Sequence, residues 1–152
     1  MRKKKRVLAS GTFDIIHPGH IYYLKRAKEL GDELIVVIAR DSTVKRIKGR
    51  VPIMPEEYRR IVVESLKPVD KAVLGYEGED IFKIVEEVKP DIIALGYDQN
   101  YDPEKIKEEL KRRGINVEVV RIEKYDDDIA ATSKIISRVL EVLSNEKENR
   151  NS

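Results

Sequence analysis

The 152-residue chain is predicted to form one α/β domain, with a parallel β-sheet flanked by helices. Three observations support this prediction. Short apolar runs without polar alternation recur along the chain, as buried parallel strands require. Segments with apolar residues three or four positions apart, a spacing typical of helices, separate these runs. The length is that of one domain, and a chain of this size buries enough surface to fold without disulfides or metals.

The five predicted strands are apolar runs bounded by turn residues: RVLAS (6–10), ELIVVIA (33–39), KAVLG (71–75), DIIALG (91–96) and NVEVVRI (116–122). Their alternation with helices implies right-handed crossovers and a Rossmann-like sheet covered on both faces. We expect the strand order 3-2-1-4-5. Ligands bind such sheets at the carboxyl ends of strands, where the order reverses, so the loops after strands one, four and five are the expected site.

The predicted helices carry start and stop signals. The first ends at Gly31, and the segment DSTVKRIKGR begins with Asp41 as a candidate N-cap and ends in a basic loop. In the next helix, Pro55 lies near the start and Pro68 follows the end. Further helices are predicted in EDIFKIVEEVKP (79–90), DPEKIKEELKRRG (102–114) and TSKIISRVLEVL (132–143). We expect the domain to span residues 5–144 and a polar tail at 145–152 to be disordered.

Composition argues against several classes of protein. With 30 basic and 28 acidic residues the net charge is +2, which gives no strong attraction to nucleic acid or membranes. The cluster RKKKR at residues 2–6 is interpreted as a solvated leader, with an anion patch as the alternative. There is no cysteine, no apolar run long enough to span a bilayer and no signal-peptide pattern, so a cytoplasmic protein is expected. The abundance of Lys and Glu is typical of a thermophile.

The two histidines of the chain both lie in GTFDIIHPGH, residues 11–20, directly after the first predicted strand. The loop is neither a dinucleotide fingerprint nor a phosphate-binding loop with lysine. Pro18 suits the first helical position, and Gly19 allows close approach of a backbone or ligand. His17 and His20 would project on one side of a helix start whose free N–H groups favour anions. This combination predicts a site for the α-phosphate of a nucleoside triphosphate under attack.

Other interpretations of the histidines remain open at this point. His17 and His20 could cap the helix and pack without a ligand. Two histidines can also bind zinc, although the chain has no cysteine and no third histidine to complete such a site.

GTFDIIHPGH resembles the His-x-Gly-His signature of the nucleotidyltransferase superfamily that includes the glycerol-3-phosphate cytidylyltransferases. RDSTVKRIKGRVPIMPEEYRR, residues 40–60, resembles the loop of that superfamily with a phosphate-binding lysine and a helix arginine, here Lys48 and Arg59. ATSKII, residues 131–136, resembles its Ile-Ser-Thr-Thr-Lys-Ile motif. The resemblance covers about residues 5–140.

Two departures argue against cytidine. Lys67 and Pro68 replace the Arg-Tyr of the cytidylyltransferase motif, and Ala131 replaces its serine. The segments KGRVPIMPEEYRR, KPVDKAVLG and KPDIIALGYDQ are more similar to the archaeal-type FAD synthase family, which transfers AMP from ATP to FMN. Members of that family carry cysteines near the C-terminus, so any thiol-dependent behaviour does not extend to this chain.

The resemblance implies roles for individual residues. His17, His20 and Lys48 would be catalytic, Asp98 would contact the ribose or base, and Tyr125 would flank the adenine. The implied nucleotide-binding set is Thr12, Phe13, His17, Pro18, Gly19, His20, Asp98, Tyr125, Thr132 and Ser133. Arg59 and Asp14 are further candidates, and Asp14 is not expected to be a metal ligand.

Simpler roles are possible for most of these residues. Lys48 and Arg59 could be solvated charges, Asp98 could form a turn, and Thr132 could serve as an N-cap. Tyr125 could be packed without contacting a ligand.

The expected reaction is in-line attack of an acceptor phosphate, FMN by resemblance, on the α-phosphorus of ATP with loss of pyrophosphate. Mg²⁺ or another divalent cation is expected to arrive with ATP rather than in a protein metal site. The resemblance also implies a homodimer. The alternatives are a CTP-dependent enzyme such as a glycerol-3-phosphate cytidylyltransferase, and a non-catalytic nucleotide sensor.

Overall fold

The computed structural model describes residues 3–77, 82–125 and 132–151, which form a five-stranded parallel sheet with helices on both faces. The strands are β1 Arg6–Gly11, β2 Glu33–Ile38, β3 Lys71–Leu74, β4 Ile92–Leu95 and β5 Glu118–Arg121. The helices are α1 Pro18–Glu29, α2 Asp41–Lys48, α3 Glu56–Glu64, α4 Phe82–Val88, α5 Pro103–Arg112 and α6 Thr132–Asn151. The strand order is β3-β2-β1-β4-β5, which confirms the predicted topology.

Successive residues of β1 point to opposite faces of the sheet and enter two separate cores. Val7 packs in a core that includes Leu24 of α1 and Val63 of α3. Leu8 packs in the other, with Val85 of α4 and Leu110 of α5. Full burial of a side chain of this size stabilises the fold by about 1.5–3 kcal/mol. Both faces of the sheet are therefore covered, as the unbroken apolar runs of its strands predict.

The ends of two helices differ in detail from the predictions. Gly31 follows α1, but it is required for space, since a Cβ there would lie 2.8 Å from the carbonyl oxygen of Lys5. The N-cap of α2 is Arg40 rather than Asp41, which lies in the first turn. Lys48, expected in a loop, is the last residue of α2, and Gly49 caps that helix in the left-handed conformation at φ 77°.

The last helix is longer than the sequence predicts. α6 continues to Asn151, through most of the segment 145–152 that was expected to be disordered. That segment contains neither glycine nor proline, and its Glu and Lys residues are good helix formers, so the helix has no local reason to end at Leu143. The start of the predicted fourth helix at 79–81, Ala131 and Ser152 lie outside the described residues. Among those described, no helix is long and apolar enough to cross a membrane.

Candidate active site

The carboxyl ends of β1, β4 and β5 face the same edge of the sheet, where the strand order reverses between β1 and β4. Contacts tie the segments at this edge together. The amide of Gln99, after β4, donates to the carbonyl of Ser10 in β1 at 3.1 Å. The hydroxyl of Thr132, at the start of α6, donates to the carbonyl of Ile15 at 3.3 Å. The structure thus brings together the loops that the sequence predicts to form the site.

The histidines form a reciprocal cap at the start of α1. His17 is the N-cap, and its Nδ1 accepts the N–H of Gly19 at 3.1 Å. His20 is the third helical residue, and its Nδ1 accepts the N–H of His17 at 3.3 Å. The ring centroids are 3.8 Å apart. Since both Nδ1 atoms accept hydrogen bonds, the neutral rings carry their proton on Nε2. Capping and ligand binding are therefore compatible roles, served by different nitrogens.

The backbone at the start of α1 corrects one expectation. Pro18 has no N–H, the N–H of Gly19 is bound by His17, and the N–H of His20 donates to the carbonyl of His17 at 3.0 Å. The prediction that this helix start offers free backbone donors is therefore wrong for these positions. The candidate donors to an anion are instead the Nε2–H groups of the imidazoles.

Electrostatics keep His20 uncharged. Burial lowers the pKa of His20 from 6.5 to about 4, with further lowering by His17 and by the charge of Lys48, against an opposing effect of Asp14. At neutral pH the ring is therefore a neutral donor. Lys48, the last residue of α2, therefore contributes to the electrostatic environment of His20. Among the described residues, no group of three or more potential metal ligands is found.

The ring of Phe13 packs beside the ring of His20. The backbone of Phe13 has φ 53°, a left-handed value that is uncommon for a residue with a bulky side chain. Its buried ring lies 5.4 Å from the ring of His20 and 6.4 Å from that of Tyr23. Gly11 makes room for it, since a Cβ at that position would lie 2.8 Å from the Phe13 ring.

Asp14 is buried, and its carboxylate connects two loops of the chain. Its two carboxylate oxygens accept the N–H groups of Ile53 and Met54, each at 2.8 Å. These residues belong to the segment that follows Lys48, so Asp14 connects the histidine loop to that segment.

Arg59 is 1% exposed, so the alternative that it is a solvated charge is wrong. Its Nη1 donates to the carbonyl of Thr12 at 2.7 Å and its Nε to the carbonyl of Met54 at 2.9 Å. Its Nη2 donates to the carboxylate of Asp41 at 2.7 Å. All three nitrogens of the guanidinium group therefore have protein partners.

Tyr125 lies on the other side of the histidines, after β5. Its ring centroid is 5.3 Å from that of Tyr22 in α1. An open cavity of about 530 Å³ lies here, lined by Ile16, His17, Pro18, Ile21, Tyr22, Lys25 and Tyr125. Glu123 holds this loop to α1 by accepting hydrogen bonds from the Tyr22 hydroxyl and from Nε of Arg26. The cavity is a largely apolar slot that begins at one of the two histidines.

Asp98 is exposed in the turn after β4. Burial, and to a lesser extent the charge of Asp98, raises the pKa of Tyr23, whose hydroxyl donates to the carbonyl of Ala94 at 2.5 Å. The adjoining Gln99 donates to the carbonyl of Ser10 in β1, so the turn that contains Asp98 lies at the crevice between β1 and β4.

Two residues that the sequence did not single out hold the turn that contains Asp98. Gln99 accepts the N–H of Gly96 at 2.8 Å, and Arg121 of β5 donates to the carbonyl oxygens of Gly96 and Gln99 at 2.9 and 3.0 Å. Gln99 is the only glutamine of the chain, which was the one available sequence signal.

Lys67 and Pro68 lie away from the site. They precede β3, and the adjoining Asp70 accepts the N–H of Leu34, near the start of β2, at 2.7 Å. In a parallel sheet this is the amino edge, opposite to the histidines. Because Lys67 and Pro68 lie far from the histidines of the same chain, their departure from the cytidylyltransferase motif does not indicate which base is bound.

Ser133 lies exposed in the first turn of α6, beside Thr132.

The fold and the paired histidines at the reversal of strand order define a nucleotidyltransferase. Residues 8–139 match the model of the family described as cytidylyltransferase-like, and the chain belongs to this family. It is 58% identical over 137 residues to the FAD synthase of Aciduliprofundum boonei, covering 90% of this chain and 91% of that protein. It is also 58% identical over 141 residues to the FAD synthase of Ferroglobus placidus, covering 92% and 91%.

One solved structure of high similarity belongs to a protein with a name other than FAD synthase. The crystal structure of the lipopolysaccharide core biosynthesis protein from Thermoplasma volcanium GSS1 superposes with a TM-score of 0.78 at 54% identity. It covers 82% of this chain and 100% of that one. The similarity confirms the predicted α/β fold.

Proposed function

We propose that this protein is an FMN adenylyltransferase, an FAD synthase that transfers AMP from ATP to FMN and releases pyrophosphate. The pair of histidines at the carboxyl edge of the sheet carries the proposal, because it provides two imidazole donors where phosphoryl transfer would occur. The identity of the acceptor rests on the FAD synthases that are 58% identical to the chain over about nine tenths of its length.

The reaction needs no covalent intermediate. A phosphate oxygen of FMN attacks the α-phosphorus of ATP, the bond to the bridging oxygen breaks, and pyrophosphate leaves with the electron pair. The Nε2–H groups of His17 and His20 would donate to phosphoryl oxygens as negative charge develops there. Because their Nδ1 atoms are held by the backbone, these donors are oriented before ATP binds.

Other residues near the histidines would bind the remaining parts of ATP. The adenine would lie in the slot beside Tyr125, where a ring can stack on it. Asp98 would accept hydrogen bonds from ribose hydroxyls, and Thr132 and Ser133 would bind the outer phosphates at the start of α6. Lys48 would neutralise charge on the leaving pyrophosphate.

We expect a divalent cation to enter the site with ATP, as part of the substrate. Since the described residues contain no cluster of three potential ligands, Mg²⁺ or a similar ion would be held mainly by phosphates and water.

We further propose a cytoplasmic homodimer, with the exposed apolar residues of α6 as candidate contacts. Val139, Leu140 and Leu143 are all largely exposed in one chain. Apolar surface of this kind is typical of an interaction site. Sedimentation equilibrium measures the mass in solution, and a monomer at micromolar concentration would contradict the dimer.

The decisive experiment supplies the purified protein with ATP or CTP and with FMN or glycerol 3-phosphate. FAD is separated by chromatography and pyrophosphate is measured in parallel. We expect equimolar FAD and pyrophosphate from ATP and FMN. Turnover only with CTP and glycerol 3-phosphate would establish the cytidylyltransferase, and binding of ATP without pyrophosphate release would establish the sensor.

A further inference from the structure

The buried arginine connects two elements to which the proposed function assigns catalysis. Through the carbonyl of Thr12, Arg59 holds the turn that leads into the histidine loop. Through Asp41 it holds the first turn of α2, the helix that ends at Lys48. Through the carbonyl of Met54 it holds the segment that returns from Lys48 to α3. Arg59 therefore anchors both ends of the Lys48 segment, residues 41–54, and also the histidine loop, residues 11–20.

Neighbouring ion pairs extend this anchor to the edge of the sheet. The N–H of Asp41 donates to the carboxylate of Glu56 at 2.9 Å. Glu56 in turn pairs with Arg40 at 2.9 Å, and Nε of Arg40 donates to the carbonyl of Gly75, directly after β3, at 2.8 Å. The side chain of Arg59 is fully buried at the centre of this network. A buried charge is tolerated when it is paired and hydrogen-bonded, and here each of the three guanidinium nitrogens has a hydrogen-bond partner.

We infer that Arg59 is a positioning residue that sets the placement of Lys48 relative to His17 and His20, and that it does not bind phosphate. The resemblance pairs this arginine with a phosphate-binding lysine. In the structure, however, each guanidinium nitrogen donates to a protein oxygen, and the group is shielded from solvent. Misplacement of a catalytic group by about 1 Å can cost about a hundredfold in rate, so an anchor of this kind affects catalysis without touching the substrate.

The inference rests on the proposed function for the roles of Lys48 and the histidines. The test is a double-mutant cycle between Arg59→Lys and Lys48→Ala. Arg59→Lys keeps the charge but cannot make all three hydrogen bonds. We expect it to lower kcat for FAD formation by about tenfold to a hundredfold and to change the Kd for ATP by less than about threefold. The double variant should match Lys48→Ala within about threefold, because Arg59 acts through Lys48.

A second readout does not require FMN. The charge of Lys48 contributes to lowering the pKa of His20. In NMR titrations of the apo protein, Lys48→Ala should raise that pKa. Arg59→Lys should raise it in the same direction, and the double variant should show no further rise. This result can be obtained even if the wild-type protein fails to make FAD, so failure of the inference and failure of the proposed function are distinguishable.

Arg60 provides the matched control. It is the next residue of α3, but it pairs only at the surface, with Glu57 and Glu64. Arg60→Lys should leave kcat, the Kd for ATP and the His20 titration unchanged.

Asp41→Asn provides a second route if Arg59→Lys does not fold, because it weakens the same anchor at a partly exposed position. It should show the same coupling to Lys48. Additive losses in either cycle, or a Kd for ATP that rises in step with the loss of kcat/KM, would overturn the inference.

Discussion

The histidine loop and the Lys48 segment present their polar groups to the proposed site in different ways. His17 and His20 are held by a reciprocal cap, with one nitrogen of each ring bound to the backbone. Lys48 is exposed in the last turn of α2, and Gly49 beside it has open space around it. Donors fixed before the reaction need no reorganisation, whereas a long exposed side chain loses conformational entropy when it binds. We therefore expect the histidines to contribute more to kcat than Lys48 does.

The largest effect is expected at His20. His20→Ala should lower kcat by about 10²–10³, as the loss of a preorganised donor typically does. His20→Gln separates the two roles of the ring, because glutamine at this helical position can retain the cap but has no Nε2–H. It should lose as much activity as His20→Ala while unfolding at a temperature closer to that of the wild type. Steady-state kinetics and thermal melts test this, and an active His20→Ala variant would remove the central claim.

Lys48→Ala should have a smaller effect. We expect kcat to fall by about tenfold to a hundredfold, more than the Kd for ATP rises, because the lysine neutralises charge on the departing pyrophosphate. The melting temperature should not change, since the side chain is exposed. Lys45→Ala, one turn earlier on α2, is the matched control and should retain full activity. If only the Kd for ATP changes in Lys48→Ala, the lysine is a ground-state contact.

The choice of base tests the side of the site that contains Tyr125. We expect ATP to be preferred over CTP by at least about tenfold in kcat/KM, or roughly 1.4 kcal/mol. Tyr125→Ala should reduce this preference, whereas Asp98→Ala should weaken both nucleotides alike, because they share the ribose. Lys67→Arg should leave the preference unchanged, since this residue precedes β3 at the opposite edge of the sheet. Competition between the two triphosphates measures the preference in the wild type and in the three variants. A preference of the wild type for CTP would favour the cytidylyltransferase.

The last prediction concerns stability at mildly acidic pH rather than activity. The pKa of His20 is about 4 in the folded chain, below its ordinary value of 6.5. Between these values the unfolded chain binds the proton first, so stability should fall as the pH decreases from about 6.5 to about 4. His20→Gln should flatten this part of the profile. Urea unfolding at several pH values measures it, and identical slopes in the two proteins would contradict the lowered pKa.

Much of the fold follows from local sequence. The unbroken apolar runs, the spacing of Leu24 and Ala27, and Pro18 at a helix start predict the observed elements and their order. Two features differ from the predictions for different reasons. The role of Gly31 depends on a distant neighbour, the backbone of Lys5, and such a contact leaves no periodic pattern along the chain. The extension of α6 to Asn151 has a local reason, because no residue there stops the helix.

The sequence by itself determined the class of protein and the position of the two histidines, because a strand, a tight loop and a helix start are specified by residues that are close together. The sequence pattern did not show which nitrogen of each imidazole is held by the backbone, since that depends on the local cap geometry seen in the structure. Only the tertiary structure decided that Arg59 is buried against Thr12 rather than solvated. The reason is physical: the environment of a charged side chain is set by groups far away in the chain, and one arginine among 30 basic residues looks like any other in sequence.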